Sequence, residues 1–235
     1  MPKGSDALIA SRKEEIVSAC AQLYENMGFK EITLGDIGKR TSFTRTSIYN
    51  YFQTKEEIFL ALLQREYEAW ISDLEAEMAK QRTLSADALA DMLADTLQRR
   101  RCMLKLMSMN LYDMEGNSRM ENLVAFKRVY ARSMMTVSRC LQSWMPAMKE
   151  EDIQDFLYAF FPFLFGVYPY TEVTEKQKAA MAAAQVSYGR YSIREIIYAF
   201  VAASIILLVV HCVKKALAEI ILSTVRKRHF GVFFS

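Results

Sequence analysis

The chain has few of the residues that break helices and few of those that carry catalysis. Eight glycines and four prolines in 235 residues leave little material for turns. Strand-like alternation of apolar and polar residues is absent, so the chain reads as all-α. Only two histidines occur, His211 inside an apolar run and His229 near the end. There is no GxSxG, no P-loop and no GxGxxG pattern, which argues against acyl-transfer, nucleotide-hydrolysing and dinucleotide-dependent enzymes. The four cysteines, Cys20, Cys102, Cys140 and Cys212, are far apart and form no CxxC. A metal finger is thereby excluded, and each thiol reads as a small buried hydrophobe in a reducing cytoplasm. No metal and no cofactor are expected. The first fifteen residues, MPKGSDALIASRKEE, lack the apolar core of a signal peptide, so the expected location is cytoplasmic.

Half of the chain is apolar (52%), enough for a substantial helical core. The formal charge of +3 is unevenly placed. Residues 1–57 balance eight cations with eight acids, while residues 211–235 hold Lys214, Lys215, Arg226, Lys227 and Arg228 against Glu219 alone. The global charge therefore says nothing about nucleic acid. A local segment does. From Ile37 to Lys55 there are four cations (Lys39, Arg40, Arg45, Lys55) and no acid. Thr41, Ser42, Thr44, Thr46, Ser47, Tyr49, Asn50 and Tyr51 are interleaved with them. Charge alone fits a solvated basic face equally well. Hydroxyls, amides and cations together on a compact helical unit suit phosphate contact and base-edge reading in a major groove.

The order of helix starts sharpens this. Ser11 and Glu14 form a capping box, and Ile16, Ala19, Cys20, Leu23 and Met27 then make one apolar stripe. Gly28 is placed to end that helix in a left-handed conformation, with Phe29 and Ile32 packed beneath. Thr33 and Asp36 form a second capping box, opening a short helix with Leu34 and Ile37 inward and Lys39 and Arg40 outward. Thr44 and Ser47 fit a third start, which presents Arg45, Thr46, Ser47, Tyr49 and Asn50, with Ile48 and Phe52 inward. Thr54 and Glu57 cap the next helix. Unpartnered N–H groups at such starts also bind phosphate oxygen.

These residues resemble the N-terminal helix-turn-helix domain of the TetR family of bacterial transcriptional regulators. The matching features are Gly28-Phe29, Thr33, Asp36-Ile37, Thr44 with Thr46-Ser47-Ile48-Tyr49, Tyr51-Phe52 and Lys55-Glu56, within about residues 11–60. The family's small residue pair at the turn, often Ala-Gly, is replaced here by Thr41-Ser42. The resemblance implies a DNA-binding head over 1–57 and a larger helical effector-binding and dimerisation body over 58–235. It implies that Thr33 and Lys55 hold phosphates and that Tyr51 touches the backbone beside the groove. Thr44, Arg45, Thr46, Ser47, Tyr49 and Asn50 approach the major groove. Arg45 suits guanine, and Asn50 suits adenine or a phosphate. Tyr49 has a second reading, as packing against the first helix. The partners implied are a palindromic double-stranded operator, a second copy of the chain and a small-molecule effector, the chain acting as a ligand-released repressor.

A long helix over roughly 56–80, nearly 40 Å at about 1.5 Å per residue, would join head and body. Helices are expected near 85–110, 118–144, 150–168, 175–188 and 192–225, with breaks at Gly116-Asn117, Pro146, Pro169 and Gly189. The many methionines suit either ordinary core or an adaptable apolar pocket. Candidate lining residues are Trp70, Met103, Met107, Leu111, Phe126, Tyr130 and Met134, with Trp70 equally readable as core. The run 155–173 is apolar almost all round, with a kink expected at Pro162, and must be buried on every side. Residues 150–168 and the helix near Ser192 are, by the resemblance, the counterparts of the family's four-helix dimer interface. Residues 196–213 hold eighteen positions without an acid or base other than His211, the length of a membrane span. A dimer helix, a membrane anchor tethering the regulator, and an altered C-terminus are all open readings. No family pattern is expected past about Val201.

Overall fold

The computed structural model describes residues 6–210, apart from 81–84, 188, 190 and 209, and apart from the side chains of Met109 and Asn110. Every regular element among the described residues is a helix. The head contains α1 (Asp6–Tyr24), α2 (Leu34–Gly38) and α3 (Arg45–Ile48). Next come α4 (Lys55–Ala79), α5 (Ala86–Gln98), α6 (Arg101–Gly116) and α7 (Met120–Trp144). α8 (Glu150–Thr171), α9 (Glu175–Ala183) and a last helix, α10 (193–208), complete the body. The continuation past 210 lies outside the described residues. So do the end of the 196–213 run and the Arg226–Arg228 patch.

α1 begins five residues before the expected Ser11 start. Asp6 stands in its first turn, where a negative charge meets the positive end of the helix dipole, and Ala7 to Ala10 offer no interruption. Glu14 does not cap; it accepts hydrogen bonds from Ser18 at 3.0 Å and Arg65 at 2.6 Å. Gly28 does not end α1 in a left-handed turn. The helix stops at Tyr24, and no described glycine has a positive φ. The Gly28 N–H instead donates to the Glu31 carboxylate at 2.5 Å.

The Thr33–Asp36 capping box is present. The Asp36 N–H donates to Thr33 Oγ1, and the Thr33 N–H donates to Asp36 Oδ2, each at 3.2 Å. The bond from the Thr33 hydroxyl is the main cause that holds the Asp36 carboxyl below its ordinary value. Loss of such a cap costs about 1 kcal/mol. Thr33→Ala is therefore expected to lower unfolding free energy by roughly that amount, and urea denaturation monitored by circular dichroism checks it.

The turn between α2 and α3 closes without a left-handed residue. The Ser42 N–H donates to the Glu15 carboxylate. The Ser42 hydroxyl accepts from Arg12 at 2.7 Å. Glu15, drawn below its ordinary value first by that backbone hydrogen bond, thus ties the turn back to α1. At Gly38 a Cβ would meet the backbone nitrogen of Arg45 at 3.2 Å. Glycine there lets α2 and α3 cross closely.

In the body, the expected 85–110 helix is two helices. The break falls at Arg100, whose φ of −105° and ψ of 41° leave the helical region. No glycine or proline marks it. Its guanidinium donates to one oxygen of Asp73 on α4, Oδ2, through Nε (2.9 Å) and Nη2 (2.7 Å), and these charge-assisted bonds fix the corner against α4. α8 runs through Pro169 to Thr171 rather than ending there. Pro162 and Pro169 both lie on its exposed side, where carbonyls deprived of an N–H partner do not face apolar core. Nor is α8 buried all round: Tyr158 is 73% and Tyr170 71% exposed. α9 ends at Ala183, short of the expected 188, ahead of Gln185 at φ 55°.

Candidate nucleic-acid interface

The head is built round Ile16, Cys20, Ile32, Ile37 and Ile48, all completely buried, with Phe52 beside them. α3 contributes only Ile48 and presents the rest of its surface outward. Thr44, Arg45, Thr46, Tyr49 and Asn50 are exposed, and Ser47 is half-buried. Arg45 has no hydrogen-bond or charge partner among the described residues. Tyr49 is 47% exposed, which places its ring on the surface rather than against α1. Thr44 occupies the cap position of α3 but its hydroxyl caps no backbone N–H; it lies 3.2 Å from the Ser47 hydroxyl.

The three outlying candidates have structural duties as well. Both donors of Thr33, its N–H and its hydroxyl, go to Asp36. Tyr51 is half-buried with its ring centroid 6.0 Å from that of Phe43. The Lys55 ammonium donates to the carbonyls of Phe29 (2.9 Å) and Ile32 (3.2 Å) and lies 4.4 Å from the Phe29 ring centroid. Lys55 thus clamps the α1–α2 loop to the start of α4, with one ammonium hydrogen left over.

Residues that sequence reasoning passed over fix the head on the body. Glu57, 1% exposed, receives Arg119 Nε at 2.7 Å, Arg119 Nη2 at 2.9 Å and the Arg119 N–H at 3.0 Å. Its other backbone partner is the Gln53 N–H at 2.8 Å. The Thr54 hydroxyl donates to the Asn117 carbonyl at 3.0 Å. The turn between α6 and α7 therefore sits directly on the segment that leaves α3. On the opposite side of the head, Lys105 of α6 donates to the Tyr24 carbonyl at 2.6 Å. Partners 60 to 80 residues apart give no local sequence signal, which is why Arg119 and Lys105 were missed.

Of the candidate effector-lining residues, Trp70, Met103, Met107 and Phe126 are buried, and Leu111, Tyr130 and Met134 are partly so. Trp70, Phe126 and Tyr130 belong to one aromatic cluster that also holds Tyr67 and Phe161, with centroid separations of 5.5 to 6.4 Å. Trp70 Nε1 donates to Thr96 at 3.2 Å, and the Tyr67 hydroxyl to the Met107 sulfur at 3.4 Å. In this structure these side chains pack on one another.

Residues 16–62 match the family described as bacterial regulatory proteins, tetR family. Residues 64–206 match the Tetracyclin repressor-like, C-terminal domain. That second match reaches past Val201, where the family pattern was expected to stop, into the apolar helix α10. The HTH-type transcriptional regulator QacR of Staphylococcus aureus (strain Mu50 / ATCC 700699) is 30% identical over 71 residues, covering 30% of this chain and 38% of QacR. RutR of Escherichia coli (strain K12) is 26% identical over 68 residues, 29% of this chain and 32% of RutR. The chain thus spans about a third of the length of the curated relatives it matches. The fold is similar to that of the transcriptional regulator FadR of Bacillus subtilis, solved in complex with stearoyl-CoA, at a TM-score of 0.53 and 13% identity over 81% of this chain and 98% of that one. Head and body are each matched by their own family description, the latter over more than half of the sequence, and the chain belongs to the TetR family of bacterial transcriptional regulators.

Proposed function

We propose that the chain is a homodimeric, sequence-specific DNA-binding regulator: a repressor released from a palindromic operator by a small, largely apolar ligand. The observation that carries this reading is the outward face of α3. Arg45 and Thr46 stand exposed there, with Tyr49 and Asn50 exposed just past the end of a helix whose single buried residue is Ile48. A four-residue helix anchored at one point exists to present its other side. Its donors suit base edges, and Lys39 and Arg40 of the preceding element supply cations for the flanking phosphates.

Dimerisation follows from the other end of the molecule. Tyr158, Ala159, Pro162, Gly166, Pro169 and Tyr170 form an exposed stripe on α8, and Ala199, Ala203, Ile206 and Leu207 form one on α10. The two helices adhere through Phe163 and Phe200, stacked with centroids 3.9 Å apart. A second copy related by a twofold axis would cover both stripes and place two heads on two half-sites. No helix among the described residues is long and apolar enough to cross a membrane.

The effector is placed among α4, α6 and α7, where the methionine side chains of Met103, Met107 and Met134 can yield to an apolar guest. FadR of Bacillus subtilis was solved in complex with stearoyl-CoA, a ligand with an apolar acyl chain. Displacement of α6 moves the Asn117–Arg119 turn and, through Glu57, the Gln53 end of the recognition segment. A useful response needs only about 1–3 kcal/mol of coupling between ligand and operator.

Selection of bound duplexes from a random library tests the whole reading. The expected product is an inverted repeat whose half-site centres lie about one helical turn or a multiple apart, bound with affinity that falls steeply with salt. Recovery of unrelated sequences, or binding indifferent to salt, contradicts it.

A further inference from the structure

A cavity of about 190 Å³ lies at the junction of head and body, lined by Tyr24, Glu25, Arg101, Cys102, Lys105 and Tyr168. Tyr24 and Glu25 belong to the end of α1, Arg101, Cys102 and Lys105 to α6, and Tyr168 to α8. Three features of this cavity point to an occupant. The Tyr24 hydroxyl is buried and has no hydrogen-bond partner among the described residues, and a buried hydroxyl without an acceptor is uncommon in folded proteins. Two cations line the same space. Lys105 uses two of its hydrogens on the Tyr24 and Met27 carbonyls, at 2.6 and 3.3 Å, and its ammonium lies 3.9 Å from the Tyr24 ring centroid. Arg101 already receives a carboxylate, that of Glu172, at 2.7 Å. That pair is solvent-exposed, with 60% of the Arg101 side chain accessible, so exchanging Glu172 for another carboxylate costs little. Glu25 is an exposed acid of the lining, and the other lining groups are apolar: the rings of Tyr24 and Tyr168 and the Cys102 thiol, which burial pushes up to about 12 and keeps neutral.

We propose that this junction cavity is a second small-molecule site, separate from the aromatic cluster of the body, which takes a small organic carboxylate held by Arg101 and Lys105 between the Tyr24 and Tyr168 rings. The volume is below the roughly 300–1,000 Å³ of pockets that hold drug-sized ligands, which limits the occupant to a short or single-ring acid. A planar carboxylate matches the guanidinium fork of Arg101 and the point charge of Lys105. Burial pushes the Lys105 ammonium below its ordinary value, and an anion beside it reverses that. Because Tyr24 belongs to the head and the cations to the body, the occupant ties one to the other.

The test is calorimetric titration and thermal unfolding of the full chain with sodium acetate, butyrate and benzoate, against sodium chloride at equal ionic strength and against benzyl alcohol. Saturable heat and a rise in midpoint are expected with at least benzoate, and not with the alcohol. Arg101→Gln should weaken binding tenfold or more. Tyr24→Phe should weaken it several-fold while leaving the ligand-free midpoint at or above wild type. The proposal is overturned if none of the three acids gives a saturable response beyond chloride. It is equally overturned if a response persists unchanged in Arg101→Gln and Tyr24→Phe, because binding would then lie elsewhere in the molecule.

Discussion

Arg119→Met is expected to lower the stability of the protein by about 3 kcal/mol at neutral pH, the low end of the range for breaking a buried ion pair from one side. The low end is chosen because a third of the Arg119 side chain is solvent-accessible, whereas none of the Glu57 side chain is. The variant leaves a completely buried carboxylate with the Gln53 N–H and the backbone N–H of residue 119 as its remaining donors. For a chain of this size the loss corresponds to a drop of roughly 6–12 °C in the unfolding midpoint. A second replacement separates the stranded charge from lost packing: Glu57→Gln combined with Arg119→Met should recover a large part of the deficit, since a neutral amide needs no counter-charge.

The pH dependence has a definite sign. Burial pushes the Glu57 carboxyl up, but the hydrogen bonds from Arg119, together with those from the N–H groups of Gln53 and Arg119, outweigh it and leave the group below its ordinary 4.5. A carboxyl depressed in the folded state contributes stability that is complete above the unfolded value and is lost as pH falls through the folded one. The difference between wild type and Arg119→Met should accordingly shrink as pH is lowered from 7 to below 4.5. A deficit under 0.5 kcal/mol at pH 7, or one that grows on acidification, contradicts the assigned role.

The same contact explains how far the sequence could be read. Thr33 with Asp36, Thr54 with Glu57 Nα, and the apolar positions Ile37, Ile48 and Phe52 are local signals, and each appears where the spacing put it. The long α4 and the exclusively helical order were legible for the same reason: caps and periodicity act within a few residues. Misplaced features share a different cause. The corner at Arg100 is set by Asp73, the turn at Ser42 by Glu15, and the head–body seam by Arg119 and Lys105. In each case a polar side chain reaches across tens of residues to fix a backbone that its own neighbours leave undecided. The apolar run 155–173 is covered only in part by its own chain, because apolar composition does not say which neighbour covers a face. The exposed stripe along α8, at Tyr158, Pro162, Gly166 and Pro169, is not covered by the described residues of this chain.

The exposed face of α3 carries the proposed contact with DNA, and Arg45 tests it most sharply. Arg45 is exposed and has no partner among the described residues, so Arg45→Ala should leave the unfolding midpoint within experimental error of wild type. Its effect should fall on DNA alone. Loss of a bidentate arginine–guanine contact costs about 1–3 kcal/mol, or roughly five- to 150-fold in specific affinity, and the selected operator should become degenerate at one position of each half-site. Lys55→Ala should behave differently on both counts. Its ammonium holds the Phe29 and Ile32 carbonyls, so the head loosens and the midpoint falls, and binding weakens for every duplex with no change in the preferred sequence. Gel-shift titrations of both variants against the selected operator and a scrambled duplex, at two salt concentrations, distinguish the two. If Arg45→Ala keeps wild-type affinity and wild-type preference at every base pair, α3 does not read the groove through Arg45, and its exposed cation is a solvated surface charge.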